Sequence, residues 1–185
     1  MSSLTVYRDD APDAPESAVC DWLGAAAVLA HAGILFERWD ADVDLPDDAG
    51  PEAVLAAYAA PVEALMRRRG YRSRDVVRVC AATPDTAALR RRFLDEHTHA
   101  EDEARVFVQG SGCFYLRTEG RVYRVVCERG DVLSVPAGMP HWFDMGPQPR
   151  FTAIRLFTRP DGWVPAYTGD PIAAAFPPYD GPRRR

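Results

Sequence analysis

Residues 96–112 read EHTHAEDEARVFVQGSG. The chain has four histidines, and two of them, His97 and His99, stand here with one residue between them. The backbone conformation decides what they can do. In a helix each residue turns about 100°, so positions two apart point roughly 200° away from each other. In a strand, positions i and i+2 share a face. The pair is therefore a two-toothed ligand only where the chain is extended. The segment AED (100–102) then serves as a turn, and Glu103 opens the next strand, RVFVQG (105–110), beside the pair. Two imidazoles and a carboxylate on one face suit a divalent metal such as iron, nickel, manganese or zinc. An HxH alone more often belongs to a solvated polar turn, so the rest of the chain has to choose.

The surroundings favour strands. From residue 74 onward, short β-branched and aromatic runs alternate with Gly, Pro and Asp. VVRVCA (76–81), RVFVQG (105–110), CFYLRT (113–118), VYRVVCE (122–128), DVLSVP (131–136) and FTAIRLF (151–157) all read as strands. Turn signals at such short intervals suggest a sandwich or barrel. Only DTAALRRRF (85–93) reads as a helix in this half. Before it, LTVYR (4–8) suits a short edge strand, and 17–32 reads as a helix with Val19, Trp22, Leu23, Ala26 and Ala30 at helical spacing. ILFERW (34–39) reads as a strand. Pro51 opens a further helix whose face carries Val54, Leu55, Tyr58, Val62, Leu65 and Met66; Pro61 should kink or split it. The expected fold is mainly β with added helices, an α+β chain of one domain. Its N-terminal strand and helices span about 4–70, a barrel about 74–160, and a proline-rich tail about 171–185.

A third histidine completes a pattern. GDVLSVPAGMPH (130–141) runs from a Gly-Asp turn through a strand and a PAG turn to His141. Read together, the two stretches resemble the two motifs of the cupin superfamily, a double-stranded β-helix or jelly-roll barrel. One departure is Met145, where the second cupin motif often has Asn; that position is not a metal ligand in cupins. GILFERWDAD (33–42), EHTHAEDEARVFVQGSGCF (96–114), VPAGMPHWFDMG (135–146) and FTAIRLF (151–157) narrow the likeness. Together they resemble the bacterial acireductone dioxygenases of methionine salvage, over nearly the whole chain.

That resemblance implies an enzyme that cleaves 1,2-dihydroxy-3-keto-5-methylthiopentene with O2. The iron form gives 2-keto-4-methylthiobutyrate and formate; the nickel form gives methylthiopropionate, formate and carbon monoxide. It implies one divalent metal per chain, Fe2+ or Ni2+, held by His97, His99, Glu103 and His141. A divalent ion with three neutral imidazoles and one carboxylate carries a single positive charge, and a dianionic substrate reverses it. Burying that charge without a cation is costly. Arg105 and Arg155 are expected to supply it, as catalytic and substrate-binding groups, although Arg155 also suits a surface ion pair. Phe93, Phe143, Trp142 and Trp163 are candidates for the wall around the methylthio tail, with Phe93 and Phe143 favoured; each also suits plain core. Glu96 and Asp102 are expected to orient the imidazoles, with a solvated turn as the alternative for Asp102. Another metal-dependent cupin enzyme, or a non-catalytic cupin binding module, remains as the rival reading.

Composition narrows the partners. The net charge is −5, every basic side chain is arginine, and no basic stripe suggests nucleic acid. The polar start and the shortness of the longest apolar stretch, 24–30, argue against a signal peptide or a membrane span. A cytoplasmic monomer is expected. Cys20, Cys80, Cys113 and Cys127 form no CxxC and are expected to be free thiols. His31 is expected to be structural or exposed, and the RRR runs at 67–69, 90–92 and 183–185 to be solvated.

Overall fold

A computed structural model describes residues 1–46 and 48–181. The arginine run at 183–185 lies outside the described residues. The fold is mixed α+β, with a large antiparallel sheet built around one strand, β6 (Glu103–Thr118). Its first half pairs with β8 (Asp131–Val135) and β10 (Phe151–Phe157). Its second half pairs with β7 (Arg121–Glu128) and β9 (His141–Asp144). The branch through β10 continues to β4 (Ser73–Val79), and β8 pairs with β3 (Phe36–Arg38). The other branch runs through β7 to β1 (Ser3–Arg8) and β2 (Pro15–Val19), and through β9 to β5 (His97–Thr98) and β11 (Ala166–Tyr167).

The two strands expected at 105–110 and 113–118 are thus one. Gly110 (φ +69°) bends the chain without ending the strand. Just before it, Thr152 faces Gln109 and Ala153 faces Phe107, so Val108 is an extra residue opposite the ladder of β10. An inserted residue flips the alternation. Before the bulge the odd positions Glu103, Arg105 and Phe107 face the interior; after it the even positions Gly112, Phe114 and Leu116 do. Gly110 permits this crossing by close approach as well as by conformation. A Cβ there would lie 1.8 Å from the Arg150 carbonyl oxygen. Gly110→Ala is expected to cost about 3 kcal/mol in urea unfolding, combining the left-handed penalty with overpacking. A loss below about 1 kcal/mol would show that the backbone at Arg150 yields easily.

The helices cover the sheet. α1 (Trp22–His31) is capped by Asp21, whose carboxylate accepts from the Gly24 amide at 2.8 Å. The helix therefore begins later than residue 17. Residues 15–19 instead form β2, an exposed strand that makes β1 an interior strand rather than an edge. The buried face of α1 is Ala25 and Leu29, with Trp22 and Ala26 beside them; Leu23 is 70% exposed. In this alanine-rich helix every face looks apolar, so spacing alone picks the wrong stripe. Pro61 does split the second helical run, into α2 (Pro51–Ala57) and α3 (Ala59–Arg69). Val54, Tyr58, Val62 and Leu65 pack on Ala104, Val106, Val108, Val132 and Ile154, the outward face of β6 and its neighbours. α4 (Thr86–Leu94) lies against β9. After β11, Phe176 and Tyr179 bury against Tyr7, Tyr115 and Trp142, so part of the proline-rich tail is core. Among the described residues, no helix is long and apolar enough to cross a membrane. All four cysteines are free, with Cys113 and Cys127 buried on the adjacent strands β6 and β7.

Candidate metal centre and adjoining cavity

β5 is only two residues long, but its pairing with β9 sets His97 directly opposite His141. His99 follows on the same side as His97, with ring centroids 5.3 Å apart. One ring nitrogen from each of the three buried histidines lies within 4.8 Å of the others. The tautomers follow from what the Nδ1 atoms face. His97 Nδ1 is 2.7 Å from the Asp95 carbonyl, His99 Nδ1 3.2 Å from that of Val164, and His141 Nδ1 2.9 Å from that of Met139. A carbonyl only accepts, so each Nδ1 donates and each Nε2 keeps a lone pair. Three lone pairs converge in a buried space, which is a donor set fitted to a divalent cation. Glu103 adds to the fit. Its Oε2 is 3.1 Å from His99 Nε2, and a lone pair facing a carboxylate oxygen is stabilised by a cation held between them.

The electrostatics of the pocket point the same way. Burial drives two of the imidazoles towards neutrality; the His97 value is lowered and the His141 value falls to about 3. Burial alone would push the Glu103 carboxyl up, but the Arg105 guanidinium holds it below the ordinary range. The chain thus presents neutral imidazoles and an ionised carboxylate, the forms that bind metal. In the metal-free protein the same shifts destabilise the fold in acid. An unfolded histidine takes up a proton near pH 6.5, whereas buried His141 refuses it until about pH 3. The unfolded state binds more protons in that window, so stability is expected to fall as pH drops from about 6.5 towards 3. Urea midpoints of metal-free protein at pH 7.5 and pH 5 check this; equal midpoints would contradict it.

Arg105 is 5% exposed. Its Nη2 donates to Glu103 Oε1 at 2.6 Å, and its guanidinium carbon lies 5.0 Å and 5.1 Å from the Phe114 and Phe143 ring centroids. Nε and Nη1 are buried with no partner. Unsatisfied buried donors are costly, so these two atoms await an acceptor. Arg155 stands opposite Arg105 across β10 and β6, and opposite Asp75 across β10 and β4. Its Nε and Nη2 donate to the two Asp75 oxygens at 2.8 and 2.6 Å. Arg155 thus lines the cavity and at the same time pairs with an acid.

The cavity beside the three histidines has a volume of about 460 Å³. Its wall includes Val77, Leu89, Phe93, Phe114 and Phe143, with Arg92, Trp163, Pro165 and Tyr167 also lining it. Trp163 is 53% exposed, which places it at the mouth. Trp142 is a correction. Alternation along β9 turns it away from the cavity, where it stacks on Tyr115 with centroids 5.0 Å apart. Glu96 and Asp102 do not touch the imidazoles. Glu96 accepts from Thr168 Oγ1 at 2.8 Å and lies 3.5 Å from Arg117 Nη1, while Asp102 accepts from the Ala137 amide at 2.8 Å. Main-chain carbonyls orient the rings instead. Leu89 and Phe114 escaped the sequence reading; the bulge at Val108 hides Phe114, because uniform alternation from Glu103 would turn it outward.

Residues 3–165 match the ARD/ARD' family. The chain is 54% identical over 180 residues to the acireductone dioxygenase of Parvibaculum lavamentivorans, covering 97% of this chain and 98% of that protein. It is 50% identical over 177 residues to the acireductone dioxygenase of Cronobacter sakazakii, covering 96% and 98%. Among solved structures, an acireductone dioxygenase from Bacillus anthracis with a cadmium ion in its active centre superposes with a TM-score of 0.79 at 28% identity, covering 90% of this chain and 98% of that one.

Proposed function

Because the chain belongs to the ARD/ARD' family, the acireductone dioxygenases, we infer that it is a metal-dependent dioxygenase cleaving acireductone with O2 in methionine salvage. The observation that carries this reading is the meeting of three imidazole lone pairs with the buried guanidinium of Arg105 in the lining of one apolar-walled cavity. We propose His97, His99, Glu103 and His141 as the ligands of one divalent metal, Fe2+ or Ni2+, and a closed cupin barrel around it. Every proposed ligand comes from one chain, so a monomer suffices.

The bound metal would supply Lewis acidity towards the oxygens of the enediol and hold the substrate beside O2. The chain does the rest. Arg105 brings its fixed positive charge to the bound substrate dianion, with Nε and Nη1 still free to donate, while Nη2 keeps Glu103 ionised and in place. Its positive charge brings the sum of metal, Glu103 and dianion from −1 to zero, which makes burial of the charged substrate tolerable. Arg155, steadied by Asp75, adds a second positive charge to the cavity wall. The rings of Phe93 and Phe143, centroids 6.0 Å apart, suit the methylthio tail and keep water from the reacting end. Trp163 would close the mouth.

The ligand set does not discriminate strongly between iron and nickel, so supply decides occupancy. The test is to strip the protein, reload it separately with Fe2+ and Ni2+, add acireductone and O2, and assay for products. The reading expects keto acid and formate with iron, and methylthiopropionate, formate and carbon monoxide with nickel. Substrate loss no faster than with metal alone would remove it.

A further inference from the structure

α4 forms one wall of the cavity, yet it contains no buried residue of its own. Leu89 and Phe93, four apart on one face, line the cavity. Leu89, Phe93 and Leu94 pack against the core only partly buried, so the apolar hold on this helix is incomplete. Arg90, one residue from Leu89, adds a directional anchor. Its Nε and Nη2 donate to the two oxygens of Asp144 at 2.7 and 2.9 Å. Asp144 is fully buried at the end of β9, the strand that carries His141 and Phe143 into the cavity. The same carboxylate accepts from the Gly146 amide at 2.8 Å and from the Tyr179 amide at 2.9 Å. Two donors thus meet each oxygen. The Tyr179 hydroxyl is in turn 2.9 Å from Ser111 Oγ.

We propose that Arg90 and Asp144 are a positioning pair that sets tail specificity: they hold the Leu89–Phe93 wall at a fixed distance from Phe143, with the C-terminal segment at Tyr179 bracing the carboxylate. Arg90 does not itself line the cavity, so its effect passes through the helix. The proposal rests on the reading of this cavity as the substrate site. A wall whose own side chains are only partly buried moves when the forked pair that anchors it is lost. A bidentate Arg–carboxylate pair fixes orientation in a way a single contact does not.

The experiment compares wild type, Arg90→Gln and Arg90→Lys, each reloaded with iron. Two substrates are used: acireductone, and a reductone in which a methyl group replaces the methylthioethyl tail. The readout is the ratio of the two kcat/KM values. In Arg90→Gln this ratio is expected to fall about tenfold, within the range that methylene-sized differences in an apolar pocket control. The change should sit in KM for the tailed substrate, with kcat/KM for the truncated one within about twofold of wild type. Arg90→Lys, keeping the charge but not the fork, should fall between. Hydrogen exchange gives a second readout independent of activity: amides of residues 89–94 should exchange faster in Arg90→Gln, with protection in β6 and β10 unchanged. An unchanged ratio in a folded variant, or unchanged exchange in α4, overturns the proposal. If wild type consumes neither substrate, the dioxygenase reading fails instead, and the exchange measurement still decides whether the pair anchors the helix.

Discussion

His141→Ala is expected to fold and to lose both its metal and its activity. His141 supplies one of three converging Nε2 atoms, from a strand other than the one that carries His97. Without it the remaining imidazoles come from one short segment, and the site is open on the β9 side. Loss of a mere outer partner of a metal ligand typically costs 10–100-fold in affinity, roughly, and loss of a ligand should exceed that. Metal analysis after dialysis should find less than about a tenth of the wild-type content, a bound set by that affinity loss. Thermal melts give a second readout. Metal at a hundredfold excess over Kd should stabilise wild type by about 2.7 kcal/mol, or roughly 5–10 °C for a chain of this size. That shift should be absent in His141→Ala. The metal-free variant should not be greatly weakened, because the deleted ring is a buried neutral group held by one hydrogen bond to the Met139 carbonyl. A variant that keeps one metal per chain, with kcat/KM within about tenfold of wild type, would remove His141 from the ligand set.

The cluster of three histidines was the most legible part of this chain, for a physical reason. Metal binding needs particular atoms at particular spacings, and the period of a strand turns HTH into a same-face pair without further information. Arg105, two residues beyond Glu103, follows from the same rule. What could not be read locally depends on contacts made across the fold. The extra residue at Val108 is defined by its partner strand β10, and it inverts every inside–outside assignment after it. Phe114 was missed for that reason. Trp142 failed differently: its large apolar ring says that it is buried but not on which side, whereas its position next to His141 does. The start of α1 was masked by alanines, which suit any face of a helix. The roles of Glu96 and Asp102 were read from proximity in sequence to the ligands. The imidazoles in fact find carbonyls at Asp95, Val164 and Met139, and the first and last of these lie two residues before their own histidines.

Arg105→Met is expected to lower kcat/KM by roughly 30- to 900-fold, the equivalent of about 2–4 kcal/mol, on the scale of a removed electrostatic donor. Methionine fits between Phe114 and Phe143 and keeps most of the packing, so the loss isolates charge and donors. Two consequences should separate. With metal bound, Glu103 still has a positive partner, and the fold should be little weakened. Without metal, Glu103 is a buried carboxylate that has lost its main counter-charge, and breaking such a pair costs about 3–5 kcal/mol. The metal-free variant should therefore melt well below metal-free wild type, while the loaded forms melt close together. The pH response should change as well. In wild type the Glu103 carboxyl is depressed, so its contribution to stability is present above its ordinary value near 4.5 and is lost as pH falls below it. In Arg105→Met the desolvation that Arg105 had opposed dominates, the carboxyl rises, and the metal-free variant should gain relative stability as pH falls through the raised value. Arg105→Lys should restore much of the stability but little of the rate, because one ammonium does not reach Glu103 and the substrate oxygens in the fork geometry of guanidinium. Arg155→Met should cost less than Arg105→Met, since Asp75 already occupies two of the Arg155 donors. If Arg105→Met turned over acireductone within about threefold of wild type, the two unpartnered donors would have no part in holding the substrate, and the charge argument for this cavity would have to rest on Arg155 alone.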